Sequence, residues 1–186
     1  MMQEIILASG SPRRRELLEM AGVPFSVITA DVDESLPEGI DPVEAVQLLA
    51  GKKAAAIQKE AKLILAADTV VALDGEIFGK PSDTEDAKRI LRTLSGKIHQ
   101  VHTGVCLREG NREKRFCVTA QVEFYPLTEE AISRYVDSGE PMDKAGAYGI
   151  QGKGALLIRR IEGDYYTIVG LPIARVVREL ENWNRC

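Results

Sequence analysis

The residue types that could do chemistry in this chain are cations and carboxylates. Arg13, Arg14, Lys53 and Lys80 make one set, and Asp33, Glu34 and Asp68, at loop or strand-end positions, make the other. Lysines and arginines hold phosphate oxygens, while carboxylates bind a divalent cation or orient water. Together they are the inventory of metal-assisted phosphoryl chemistry. Taken singly, Lys80 or Asp33 reads more readily as an exposed charge. Competing inventories are missing. There is no GxxxxGK[ST] sequence, and Gly149 to Gly154 (GIQGKG) lacks GxGxxG spacing and precedes a strand rather than a helix. His99 and His102, three apart on an expected strand, point to opposite faces and make a poor metal pair. With no GxSxG elbow and no convincing Cys-His pair, covalent catalysis has little support.

The sharpest local signal is Ser9-Gly10-Ser11-Pro12-Arg13-Arg14-Arg15, where a short apolar strand, Ile5 to Ala8, gives way to a helix. Ser11 suits the N-cap and Pro12 the first helical position, which puts three arginines at the positive end of the helix dipole. Each cation there costs roughly 0.3 to 1 kcal/mol at low salt, so the arrangement makes sense if an anion normally sits among the arginines and free N–H groups. Ser9, Gly10 and Ser11 are small enough to let a ligand reach the backbone. On charge alone, a solvated helix face with buried arginine stems explains the triplet equally well.

These residues need elements to position them, and strand and helix signals alternate along the chain as in an α/β protein. After the first helix, ending near Ala21-Gly22, Phe25 to Thr29 reads as a strand leading to the acidic loop Asp31 to Glu34. Asp41, Pro42 and Glu44 open a helix expected to reach about Ala61, with Lys52 and Lys53 on it. Leu63 to Ala67 reads as a strand covered on both faces that ends abruptly at Asp68-Thr69. Val70 to Leu73 and Glu76 to Phe78 flank an Asp74-Gly75 pair suited to a type I′ turn, and Gly79-Lys80-Pro81 follows. Ser82 with Glu85 reads as a capping box for a helix stopping at Ser95-Gly96. Ile98 to Leu107 and Arg115 to Phe124 read as an antiparallel pair around Gly110-Asn111. Thr128 caps a helix ending near Ser138-Gly139. The stretch from Gly139 to Gly154 carries five glycines in 16 residues, the mark of a functional loop. Ala155 to Ile161, a Gly163-Asp164 turn, Tyr165 to Val169 and a helix opened by Pro172 complete the chain. Asp164, Tyr165 and Tyr166 lie where they could reach a ligand.

Composition narrows the class. A chain of 186 residues, 45% hydrophobic, can bury a substantial core as one domain or one domain with two lobes. The net charge is −4, and no basic stripe extends beyond the first helix, which disfavours stable nucleic-acid binding. Cys106, Cys117 and Cys186 are an odd number at no metal-ligand spacing and read as free thiols, Cys106 and Cys117 buried, in a reducing compartment. No apolar run is long enough to span a bilayer, so a cytoplasmic protein without a membrane partner is expected.

Leu7 to Arg14 (LASGSPRR), Ala67 to Thr69 (ADT), Gly79 to Pro81 (GKP), Asp143 to Gly152 (DKAGAYGIQG) and Gly163 to Pro172 (GDYY…GLP) resemble, in order, the signature blocks of the Maf family. The resemblance runs from Ile5 to about Pro172. It implies a mixed twisted sheet with flanking helices, two lobes around a cleft, like inosine triphosphate pyrophosphatases, in a single domain over residues 1–186. It further implies a cytoplasmic, homodimeric nucleoside triphosphate pyrophosphatase with a house-cleaning role, in a family associated with arrest of septum formation. The implied reaction converts dTTP, UTP and modified pyrimidine nucleotides to the monophosphate and pyrophosphate with a divalent metal (Mg, Mn or Co).

By the same resemblance Asp68 is the proton acceptor, Arg13, Lys53 and Lys80 grip the triphosphate with Ser9 and Arg14 beside them, and Asp33 and Asp68 are candidate metal ligands. Arg13, Thr69 and Gln151 stand where a sister branch acting on 7-methyl-GTP carries Trp, Gln and Glu. A Gln amide offers a donor and an acceptor to the edge of uracil or thymine, whereas a Glu carboxylate only accepts. A carboxylate of ordinary pKa, about 3.9, is a weak base, which favours a metal that acidifies the attacking water. Two other readings use the same cations: a non-enzymatic module that binds phosphorylated ligands or nucleic acid and acts in cell division, and a phosphotransferase or monophosphate phosphatase.

Overall fold

The computed structural model describes residues 3–57 and 62–183. Apolar β-branched and leucine runs form the inner strands. β1 (Ile5–Leu7) is wholly buried, and β3 (Ile64–Leu73) is buried without a break from Ile64 through Asp68, the continuous pattern of a strand covered on both faces. β2 (Phe25–Val27) and β3 both pair with β1 in parallel, Ile5 opposite Phe25 and Ile6 opposite Ile64. β4 (Glu76–Phe78) turns back antiparallel on β3 through Asp74 and Gly75. Both turn residues have positive φ, 52° and 84°, as a type I′ turn demands. β5 (Ile98–Glu109), β6 (Arg112–Phe124) and β7 (Ile158–Glu162) complete a sheet ordered β2-β1-β3-β5-β6-β7, with β4 on β3. The expected mixed α/β architecture is therefore present, with both long hairpin strands extended toward their turn at Gly110-Asn111.

Among the described residues six α-helices accompany the sheet: α1 (Pro12–Met20), α2 (Pro42–Ala55), α3 (Thr84–Leu94), α4 (Glu129–Val136), the short α5 (Tyr165–Val169) and α6 (Ile173–Trp183). The chain forms two compact units. The first comprises residues 1–68, 103–118 and 170–186, and the second residues 69–102 and 119–169. In the first, Ile6 and Ala8 pack with Ala50 and Ala54 of α2, Ile64 and Ala66 of β3, and Cys106 of β5. In the second, Ala87, Ile90, Leu91 and Leu94 place the apolar face of α3 against Ile132 and Val136 of α4 and against Val101, Val122 and Phe124 of the strands.

Several boundaries differ from the sequence reading. β3 does not end at Asp68-Thr69: it runs through both residues to Leu73, because the apolar Val70 to Ala72 stay buried and carry the strand past the charge. Ser11 occupies the N-cap of α1 but makes no side-chain cap bond. The cap of α3 is Asp83, not Ser82: the Asp83 carboxylate accepts from the Asp86 N–H at 2.8 Å, and Asp86 reaches back to the Ser82 N–H at 3.0 Å. Adjacent Ser and Asp compete for one cap, and the charged acceptor prevails. α2 stops at Ala55, with Ala56 as C-cap, and the expected end near Ala61 lies outside the described residues. The stretch from Gly139 onward folds into 3-10 segments, Glu140–Asp143, Ala145–Ala147 and Gly152–Leu157, so Ala155 to Leu157 precede the strand instead of opening it. Cys106 is a buried thiol outside any disulfide, whereas Cys117, also not in a disulfide, is only half-buried and directs its Sγ to the Val118 carbonyl; Cys186 lies outside the described residues.

Candidate active site

The loop from β1 into α1 brings the first unit's polar groups together. Ser9, 8% exposed, follows the buried strand, and its Oγ accepts from the Ser11 N–H at 3.2 Å and from Arg14 Nη1 at 3.0 Å. Arg14 also donates through Nε to the Gly170 carbonyl at 2.8 Å. It is therefore a buried strut that fixes the start of α1, while Arg13 and Arg15 on either side are half-buried. Burial lowers the Arg14 pKa, with Asp68 and Glu34 pulling it back up and Arg13 adding to the fall. The first turn of α1 contains no acidic residue, so the carboxylates that bear on Arg14 come from elsewhere in the chain.

Asp68 is the point at which β3 turns from apolar to charged, and it is 8% exposed. Lys53, near the C-terminal end of α2, places its ammonium 2.5 Å from Asp68 Oδ1 and 2.8 Å from Glu34 Oε1. Two carboxylates from distant parts of the chain thus share one cation. Lys52, about 100° around the helix, instead donates to the carbonyls of Asp33 and Ser35, each at 3.1 Å, and so anchors the acidic loop by its backbone. Asp33 is occupied locally: its carboxylate accepts from the Ser35 N–H at 2.9 Å and from the Ser35 hydroxyl at 2.7 Å. The hydroxyl bond foremost, and then the N–H bond, hold the Asp33 carboxyl below its usual range. Glu34, not Asp33, is the acid presented to Lys53 and Asp68.

The remaining candidates belong to the second unit. Thr69 follows Asp68 in β3 and is half-buried, whereas Lys80 and Gln151 are exposed. The Lys80 segment is tied to the glycine-rich stretch by the Gly146 N–H, which donates to the Gly79 carbonyl at 3.0 Å. His99 and His102 bond Tyr148 and Thr119, each at 2.8 Å, as strand residues rather than ligands. Asp164 accepts from the Tyr166 and Thr167 N–H groups and the Thr167 hydroxyl, so it caps α5. Among the described residues, no group of three or more His, Cys, Asp or Glu is gathered to hold a metal ion, and no helix is long and apolar enough to cross a membrane.

Structurally, the chain is similar to the Ham1 protein of Staphylococcus aureus, with a TM-score of 0.54 at 19% identity over 95% of this chain and 100% of that one; the likeness is one of fold. In sequence it is 49% identical to the dTTP/UTP pyrophosphatase of Bacillus velezensis, over 99% of this chain and 98% of the relative. It is 50% identical to the dTTP/UTP pyrophosphatase of Bacillus cytotoxicus, over 98% and 97% respectively. The sequence profile of the Maf-like protein family matches residues 4–183, and the chain belongs to that family.

Proposed function

We propose that this chain is a nucleoside triphosphate pyrophosphatase that hydrolyses dTTP and UTP to the monophosphate and pyrophosphate. The observation that carries the reading is the Lys53 ammonium shared by Asp68 and Glu34 near an arginine-rich helix start. Relatives of the stated names at about half identity, aligned over nearly the full length of both chains, support the substrate.

In this reading Asp68 accepts the proton of a water that attacks the α-phosphorus. The new O–P bond forms as the bond to the β-phosphate bridging oxygen breaks, and pyrophosphate leaves. Lys53 orients Asp68 and offers its charge to phosphate oxygens, and Arg13 and Lys80 hold the triphosphate. Arg14 and Ser9 brace the helix start against which the phosphates rest.

A divalent cation (Mg, Mn or Co) fits this donor set. Asp68 and Glu34 already converge on one positive centre, and Mg²⁺ is commonly held by one or two carboxylates completed by substrate phosphates. When bound by those two residues it would neutralise phosphate charge and acidify water. Arg13, Thr69 and Gln151 set the base preference, Gln151 by offering both a donor and an acceptor to a pyrimidine edge. The protein works in the cytoplasm as a homodimer, without a nucleic-acid partner.

The test is product analysis with dTTP and Mg²⁺. Pyrophosphate and dTMP are expected, with turnover reduced roughly 10²- to 10⁴-fold in Asp68→Asn while the fold is kept. Orthophosphate would indicate a phosphatase. Absence of turnover together with salt-sensitive polynucleotide binding would indicate a binding module.

A further inference from the structure

Within the second unit, the loop that carries Gln151 is closed at its neck by two side chains that the proposed reaction does not use. Tyr135 of α4 is 4% exposed; its hydroxyl donates to Glu140 Oε1 at 3.0 Å and accepts from the Gly149 N–H at 3.1 Å. Glu140 accepts from the Gly154 N–H through Oε1 and from the Lys153 N–H through Oε2, both at 3.0 Å. These bonds enter on both sides of Ile150-Gln151-Gly152. The neck is tight: a Cβ at Gly154 would fall on the Gly149 carbonyl oxygen and 2.8 Å from the Tyr135 hydroxyl. Lys144 adds a brace, donating to the Glu140 carbonyl at 2.6 Å while its aliphatic arm lies against Gly149. Burial pushes the Glu140 carboxyl up, but the Gly154 and Lys153 amides, the Tyr135 hydroxyl and the Lys144 charge together outweigh it and hold the group below its ordinary range, so it is an anion at neutral pH.

Three of the six residues from Gly149 to Gly154 are glycine, and such a segment loses the most conformational freedom on ordering. Gln151 is exposed between the two clamped ends, and a residue that reads a base needs its backbone fixed before the ligand arrives. We propose that Tyr135 and Glu140 are positioning residues for Gln151: by closing the neck of residues 149–154 they set how sharply a uracil or thymine ring is preferred over other bases. This rests on the reading of Gln151 as a base-recognising residue.

The test compares Tyr135→Phe, Glu140→Gln and Gln151→Ala for kcat and KM with dTTP, dCTP and dGTP, and follows amide hydrogen exchange of the first two. Tyr135→Phe keeps the ring but loses both hydroxyl bonds, and the side-chain amide introduced by Glu140→Gln cannot accept at both of its termini. Both neck variants are expected to raise KM for dTTP on the order of tenfold with kcat within about twofold. Both should narrow the ratio of dTTP to dCTP in kcat/KM, and the amides of Gly149, Lys153 and Gly154 should exchange faster while those of α3 keep their protection. If Gln151→Ala narrows the ratio and the neck variants do not, whatever their exchange, the positioning role is overturned. An unchanged ratio in Gln151→Ala instead overturns the base-recognition reading, and the proposal falls with it. If Glu140→Gln does not fold, Tyr135→Phe, the milder change, decides the matter.

Discussion

Lys52 and Lys53 are neighbours in sequence with separate tasks, and the difference follows from helix geometry. Lys52 holds backbone carbonyls of the acidic loop, and Lys53 gathers Asp68 and Glu34. Asp33 and Glu34 divide in the same way. The Asp33 carboxylate is spent on the Ser35 N–H and hydroxyl, a turn that aims the next side chain at Lys53. Glu34→Gln should therefore lower turnover of dTTP on the order of 10-fold or more and raise the divalent-metal concentration needed for half activity, whereas Asp33→Asn should stay within about threefold. A steady-state assay with a metal titration of both variants decides it, and equal effects would remove Glu34 from the centre. The sequence announced both acids and gave Asp33, with Asp68, as a candidate metal ligand; it did not show that Glu34 is the one paired with Lys53. The signal that could have separated them is the Asp-x-Ser spacing of Asp33 and Ser35, which marks the aspartate as a turn former.

The same contrast between local signal and tertiary contact runs through the elements. Where one run of residues contains all the physics, the reading and the structure agree. The Asp74-Gly75 turn is an example, as are the Asp41 cap, which accepts from the N–H groups of Val43 and Glu44, and the Thr128 cap on the Ala131 N–H. Where two local candidates compete, as Ser82 and Asp83 do, position alone misleads. The glycine-rich stretch was recognisable as more than a linker, but not its clamp. Tyr135 belongs to α4 and Glu140 to the turn after it, and nothing in their spacing shows that both bond the amides of residues 149–154. Also invisible in sequence is the approach of α2 to β5, where a Cβ at Gly104 would lie 2.5 Å from the Val46 carbonyl carbon and oxygen. Backbone cannot yield as a flexible side chain can, so Gly104→Ala must push α2 off its strand. Unfolding free energy should fall by about 1 to 3 kcal/mol in a urea titration. Because α2 carries Lys53, dTTP turnover should fall with it; unchanged stability would show that the contact is slack.

Each of the two units has its own apolar core, and the second contains a titratable group that has no role in the proposed chemistry. His99 is 1% exposed, packed edge-on against Phe124 and Tyr148, with Nε2 bonded to the Tyr148 hydroxyl and Nδ1 without a hydrogen-bond partner among the described residues. Burial drives its pKa down to about 4, against an ordinary value of 6.5. The folded protein therefore keeps His99 neutral where the unfolded chain would bind a proton. The stability that this neutral state contributes is complete above the unfolded value and is lost as pH falls from about 6.5 towards 4. The carboxylates with lowered pKa, Glu140 and Glu179 among them, also lose stability in acid, but only as pH falls below about 5 through the ordinary carboxylate value and beyond it. The interval from pH 6.5 to 5 lies above the carboxylates and belongs to the histidines, and over it the linkage through His99 amounts to about 1.5 kcal/mol. Urea unfolding of the intact chain should show that decline. In His99→Phe, which keeps an aromatic ring at the cost of the Tyr148 bond, stability should start lower but decline less across the interval, by about the His99 share. A variant whose stability falls as steeply as the parent's would place the acid sensitivity outside this core.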